Sequence, residues 1–201
     1  MASILVVCTG NVCRSPIAEG MLRRGLHARF GDVAPRVASA GTAGWGGSPA
    51  MPESVVAAAE RGVDIAAHVA RRLTSDHVRA ADLVVAMAAE HRDRIVHAVP
   101  EAAGRTFTLK ELTRLLEALP LGEGGAASPR SWPHRVAEAD ALRRGKTASR
   151  RDDEDIVDPL GLPIEGYRAV AWELEEWCER LVDGLAGATA TPSSASGTEA
   201  V

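Results

Sequence analysis

Ile4-Leu5-Val6-Val7-Cys8-Thr9-Gly10-Asn11-Val12-Cys13-Arg14-Ser15-Pro16 passes from an apolar run, through a short polar loop, into a segment with helical spacing at Ile17, Met21, Leu22 and Leu26. Four consecutive apolar residues read as a buried parallel strand, so the loop joins a strand's carboxyl end to a helix's amino end. Ser15 is the predicted N-cap and Pro16 the predicted first helical residue. Free backbone N–H groups and the positive end of the helix dipole would then face the loop's concavity, a setting that suits a phosphate-like anion. One thiol, Cys8, and one guanidinium, Arg14, flank the five residues between them. The same field favours thiolate over thiol at Cys8.

Working outward, apolar runs alternate with helical patterns. Strands are predicted at 3–7, 36–39, 82–87 and 105–108. Helices are predicted at 16–29, 52–61, 74–80, 88–98, 109 to about 119, and roughly 164–186. This alternation implies a single-domain α/β sandwich of three layers, with a parallel sheet covered by helices on both faces. Ligands of such sheets bind at the strands' carboxyl ends, where the Cys8 loop lies.

A chain of 201 residues suits one well-buried core. Its net charge of −4, without a dominant block of like charge, gives no reason to expect nucleic acid as a partner. No basic n-region or long apolar stretch suggests a leader or membrane span, so a cytoplasmic protein without a membrane partner is expected, with a monomer favoured. Three cysteines in such a chain argue for a reactive thiol rather than a disulfide framework. Cys178 falls on an amphipathic run and reads as core.

Val7-Cys8-Thr9-Gly10-Asn11-Val12-Cys13-Arg14-Ser15-Pro16 resembles the active-site signature of the low-molecular-weight protein tyrosine phosphatases of bacterial type. Cys-x5-Arg alone would be weak, but Gly, Asn, the second Cys and Ser-Pro fall in place together. Ser39-Ala40-Gly41-Thr42, Gly62-Val63-Asp64, His68 to Arg72, the Val84 to Met87 strand end and Asp158-Pro159 follow in the family's order. The resemblance covers roughly 3–116 and 155–186, and it implies a four-stranded sheet. It further implies a phosphomonoesterase, most simply a protein-tyrosine phosphatase working through a phosphocysteine, without cofactor or metal.

In that scheme Cys8 is the nucleophile. Arg14 holds equatorial phosphoryl oxygens with its planar fork. The backbone N–H groups of Thr9, Gly10, Asn11, Val12, Cys13, Arg14 and Ser15 complete the cradle, with Gly10 permitting a conformation or close approach that a Cβ would obstruct. Asp158 is the general acid. The neighbouring Asp152, Asp153 and Asp155 compete by proximity, although none precedes a proline. The Ser15 hydroxyl is placed to steady the Cys8 sulfur. Ser39 and His68 are implied to support Asn11 in a left-handed conformation, and Val12, Trp45 and Leu160 to line the substrate crevice. The resemblance also supports a reversible Cys8–Cys13 disulfide, and hence redox sensitivity.

The sequence departs from the family in four places. Leu160 and Gly161 stand where aromatic residues commonly follow Asp-Pro, which removes a ring-stacking contribution of about 0.5–1.5 kcal/mol. Ala88 stands where an acidic residue often follows the methionine of the third strand. Residues 120–154 look like an insertion within a domain spanning 1–186. It has loop composition around a possible short helix at 136–144, and it reads as a solvated excursion or, alternatively, a lid or docking surface. Residues 187–201 have the composition of a disordered tail.

Two other functions use parts of this pattern. A thioredoxin-coupled arsenate reductase would need further cysteines near the third strand, and 82–100 contains none; a reductase using an external thiol survives that count. A noncatalytic phosphopeptide-binding module would be expected to lose Cys8 or Asp158, and both are present.

Overall fold

A computed structural model describes residues 2–120, 132–145 and 153–187. The predicted tail beyond 187 and the flanks of the predicted insertion lie outside the described residues. Four strands, β1 (Ser3–Cys8), β2 (Arg36–Gly41), β3 (Leu83–Ala86) and β4 (Thr106–Thr108), form one sheet in the order β2-β1-β3-β4, all parallel. Ile4 pairs with Val37 on one side and Leu83 on the other. The chain therefore leaves β1 toward one neighbour and later returns to the other. The crevice at β1's carboxyl end is the topological switch point, where ligands of open α/β sheets bind.

Seven helices are described: α1 (Arg14–Phe30), α2 (Pro52–Ala59), α3 (Ser75–Ala80), α4 (Ala89–Ala98), α5 (Leu109–Glu117), α6 (Trp132–Gly145) and α7 (Ile164–Ala186). The two-residue period of a strand divides β1 between two apolar cores. Ile4 and Val6 pack with α1, α5 and α7, through Ile17, Leu22, Leu112 and Leu181. Leu5 and Val7 pack on the opposite face with Val78 of α3 and Ile95 of α4. Both faces of β1 are thus dry, which is why its sequence is a continuous apolar run rather than an alternating one. Cys178 lies in the first of these cores, where burial pushes its thiol far up.

Two expectations need correction. α1 begins at Arg14 with Cys13 at the N-cap position and no side-chain cap, so Ser15 is helical and its hydroxyl is free for another partner. The predicted solvated excursion contains α6, which starts earlier than the 136–144 segment suggested. α6 buries Trp132, Val136 and Ala139 in the first core. Two of its three arginines, Arg135 and Arg143, are structural. Arg135 donates to the carbonyls of Gly184 at 2.6 Å, Leu116 at 3.1 Å and Pro120 at 3.2 Å, bringing a cation to the negative ends of α5 and α7. Arg143 donates to Thr106 O at 3.0 Å and Ala103 O at 2.7 Å and lies over the Phe107 ring, covering the sheet's β4 edge.

Candidate active site

The loop from Cys8 to Arg14 is shaped from outside. The carbonyls of Cys8, Thr9, Gly10 and Val12 accept from the N–H groups of Thr42, Ala43, Trp45 and Met51 at 2.9–3.4 Å. A trans peptide points its C=O and the following N–H in opposite directions. The N–H groups of Thr9, Gly10, Asn11 and Cys13 are therefore turned to the inner side. Gly41 permits this approach. A Cβ there would fall 2.6 Å from Thr9 O and 2.9 Å from Asn11 N, and one on Gly10 would press on Val12 at 3.3 Å beside the Trp45 ring at 3.7 Å. Gly41 is thus a close-approach glycine behind the loop, in addition to Gly10 within it.

Asn11 has φ +59°, the left-handed conformation implied by the resemblance, and it is fully buried. All its polar atoms are used. Its Nδ2 donates to Ser15 Oγ at 2.9 Å and Ser39 Oγ at 2.8 Å, and its Oδ1 accepts from the Arg71 N–H at 2.9 Å. Its carbonyl accepts from His68 Nε2 at 2.8 Å, and its N–H points at Cys8 Sγ at 3.3 Å. Ser39 passes its own hydrogen to Glu19 at 2.6 Å. The Ser15 hydroxyl, which accepts from Asn11, lies 2.9 Å from Cys8 Sγ and can donate its hydrogen to a Cys8 thiolate. Glu19 and Arg71 were not legible as site residues; Arg71 acts on Asn11 through a backbone N–H that any residue but proline would offer.

Arg14 is buried beside Cys8. Its guanidinium donates to Asp158 Oδ2 at 2.5 Å, to Ile156 O at 3.1 Å and to Thr9 Oγ1 at 3.2 Å. Its Nε is buried with no partner among the described residues. A crevice lined by Cys8, Thr9, Gly10, Val12, Cys13, Arg14, Trp45, Asp158 and Leu160 brings together Cys8, Arg14, Asp158 and the three predicted crevice residues. Trp45 and Leu160 are exposed and form its rim. Among the described residues no group of three His, Cys, Asp or Glu side chains is placed to hold a metal ion.

The competing acids are otherwise engaged. Asp155 Oδ1 accepts from the Ala89 N–H at 2.7 Å, capping α4 in place of Ala88, which has no capping side chain. The cap that Ala88 cannot supply thus comes from a distant carboxylate. Asp153 pairs with Arg114 at 2.6 Å and Glu154 with Arg92 at 3.3 Å; Lys110 donates to Asp155 O at 2.9 Å, and the Ile156 N–H bonds Met87 O at 2.8 Å. These ties fix the segment just ahead of Asp158. Asp152 lies outside the described residues. One further residue escaped the sequence reading: His91, buried on α4, whose Nε2 lies 2.9 Å from Thr9 Oγ1.

Residues 3–118 match the family model described as low molecular weight phosphotyrosine protein phosphatase. The chain belongs to this family. The protein-arginine-phosphatase of Geobacillus stearothermophilus is 34% identical over 182 residues, spanning 90% of this chain and 95% of the relative. The low molecular weight protein-tyrosine-phosphatase Etp of Escherichia coli K12 is 42% identical over 105 residues, 52% of this chain and 67% of Etp. Among solved structures, the low molecular weight protein tyrosine phosphatase from T. tengcongensis superposes with a TM-score of 0.67 at 32% identity, covering 91% of this chain and 99% of that one. The family's phosphatase activity is accordingly the activity of this protein.

Proposed function

We propose that this phosphatase hydrolyses phosphotyrosine in proteins, with Cys8, Arg14 and Asp158 carrying the reaction. The observation that carries the site assignment is the buried Arg14 Nε, a cationic donor without an acceptor among the described residues. It lies beside a loop whose amides turn inward around Cys8. A phosphoryl group supplies the acceptor oxygens that such donors require.

Arg14 is already bound to Asp158, so an incoming phosphoryl group takes over the guanidinium and leaves the carboxyl beside the ester oxygen. Displaced from the Arg14 cation, Asp158 enters the step as the carboxylic acid, having taken a proton from solvent. The Cys8 thiolate attacks phosphorus, an S–P bond forms as the P–O ester bond breaks, and Asp158 gives that proton to the departing oxygen. Ser15 steadies the sulfur. In the second step water attacks phosphorus, Asp158 accepts the water's proton, the S–P bond breaks and orthophosphate leaves.

The walls favour an aryl substrate. Val12, Trp45 and Leu160 offer apolar surface to a ring, and Cys8, only 2% exposed, lies where a long phosphotyrosyl side chain reaches more easily than phosphoserine. The relative from Geobacillus stearothermophilus, matching along nearly its whole length, favours phosphoarginine as a second reading. A guanidinium substrate would present N–H donors, and the three wall side chains carry no acceptor. Hydrolysis of phosphotyrosyl, phosphoseryl and phosphoarginyl peptides, beside arsenate reduction with an external thiol, tests the choice. The expected order of kcat/KM puts phosphotyrosine first; a higher value for phosphoarginine would transfer the assignment to the second reading, and arsenate turnover without ester hydrolysis would defeat both.

A further inference from the structure

His91 is the buried polar side chain beside the crevice that the reaction as written does not use. It enters from the first turn of α4, directly after β3, and is 2% exposed. Its Nε2 lies 2.9 Å from Thr9 Oγ1, the same oxygen that accepts from Arg14 at 3.2 Å. Its Nδ1 is buried without a partner among the described residues.

The proton inventory at this junction is restrictive. Burial, reinforced by the Arg14 charge and opposed by Glu90, Asp155 and Asp158, lowers the His91 pKa to about 4, so the ring is neutral near pH 7, with one N–H and one lone pair. A buried N–H without an acceptor is the rarer defect, which places the hydrogen on Nε2, facing Thr9. The Thr9 oxygen then accepts from two donors, Arg14 and His91. Its own hydrogen is committed to neither, and Thr9 lines the crevice together with Cys8 and Asp158. When a phosphoryl group displaces Asp158 from Arg14, the anchors left to the guanidinium are Ile156 O and Thr9.

We propose that His91 is a positioning residue for phosphoryl transfer. Through Thr9 Oγ1 it keeps the Arg14 fork in place as Asp158 lets go, and it frees the Thr9 hydroxyl hydrogen to bond a phosphoryl oxygen. This rests on the reading of Arg14 as the group that holds the phosphoryl oxygens.

The test compares Thr9→Val, Thr9→Ser, His91→Leu, His91→Gln and the Thr9→Val/His91→Leu double variant. For each, kcat and KM on an aryl phosphate, the dissociation constant of inorganic phosphate and the melting temperature are measured. Thr9→Val and His91→Leu should each weaken phosphate binding and lower kcat/KM about tenfold, the scale of one hydrogen bond to a charged group. Thr9→Ser restores the hydroxyl and His91→Gln an amide N–H near the Nε2 position, so both should recover most of the loss. The double variant should be no worse than Thr9→Val alone. Losses that multiply in the double variant, or a folded Thr9→Val protein matching the parent, would overturn the proposal. Should His91→Leu not fold, the Val against Ser comparison at Thr9 decides. A parent that neither binds phosphate nor hydrolyses aryl phosphates would overturn the reading of Arg14 itself; an active parent matched by Thr9→Val overturns the His91 role alone.

Discussion

Cys8 and Arg14 make separable contributions, because the cradle's shape depends on hydrogen bonds at Asn11 rather than on the nucleophile. Cys8→Ser is expected to abolish turnover while phosphate or vanadate still binds, and Arg14→Lys to fail at both; calorimetric titration beside an aryl phosphate assay separates them. Substantial turnover in a verified Cys8→Ser preparation would sink the phosphocysteine. Asp158→Asn should lower kcat on poor leaving groups by about 10² to 10⁴ and much less on activated aryl phosphates. Equal sensitivity to leaving-group pKa in variant and parent would put the acid elsewhere. Burial pushes the Cys13 thiol up to about 11. If Cys13 captures an oxidised Cys8, the sulfenic acid and the Cys13 thiolate combine to a disulfide with loss of hydroxide. The rate should then climb roughly tenfold per pH unit from 7 to 10, following the thiolate fraction. Mass spectrometry of the Cys8–Cys13 peptide after a peroxide pulse reads it directly, and a flat profile would remove Cys13 as the resolving thiol.

At the level of elements, α4 and the segment before Asp158 are joined by two carboxylates, Glu154 on Arg92 and Asp155 on the Ala89 N–H. Asp155 caps α4 at Ala89 while its backbone carbonyl takes Lys110, so it ties the helix bearing His91 to the loop bearing Asp158. Asp155→Ala is expected to cost about 1 kcal/mol of stability and to lower kcat several-fold with phosphate affinity retained, whereas Asp155→Asn, an equally good cap, should stay near the parent. A large loss in Asp155→Asn that depends on the leaving group would instead make Asp155 the proton donor. α6 invites a different measurement. Trp132 is 1% exposed, so Trp132→Ala should cost about 3–5 kcal/mol and lower the melting temperature by roughly 10 °C; a shift under 2 °C would mean that α6 is dispensable to the core. The helix was hard to read because a single large apolar residue opens it. Its arginines also look like a solvated basic run, since a sequence displays a charge without displaying the carbonyls that satisfy it.

For the molecule as a whole, what could be read in advance is what is contiguous or periodic. Ile4 to Val7 and Leu83 to Met87 announced strands dry on both faces, and the Cys8 to Pro16 run contained nucleophile, guanidinium and cradle within one turn of chain. The missing parts come from far away in sequence: His91 meets Thr9, Glu19 meets Ser39, Arg71 meets Asn11 and Asp155 meets Ala89 only because the sheet gathers its carboxyl ends at one crevice. No local pattern encodes such meetings. The inward-turned amides around Asn11 carry one more consequence. Since the loop is held in shape by hydrogen bonds from its neighbours, little binding energy goes into rearrangement when a tetrahedral oxyanion enters. The orthophosphate released at the end of each cycle carries the same tetrahedral oxygens that the recess is built to hold. Inorganic phosphate is therefore expected to inhibit competitively, which a kcat/KM series at rising phosphate concentration would read, while discrimination among phosphorylated side chains falls to the walls formed by Val12, Trp45 and Leu160.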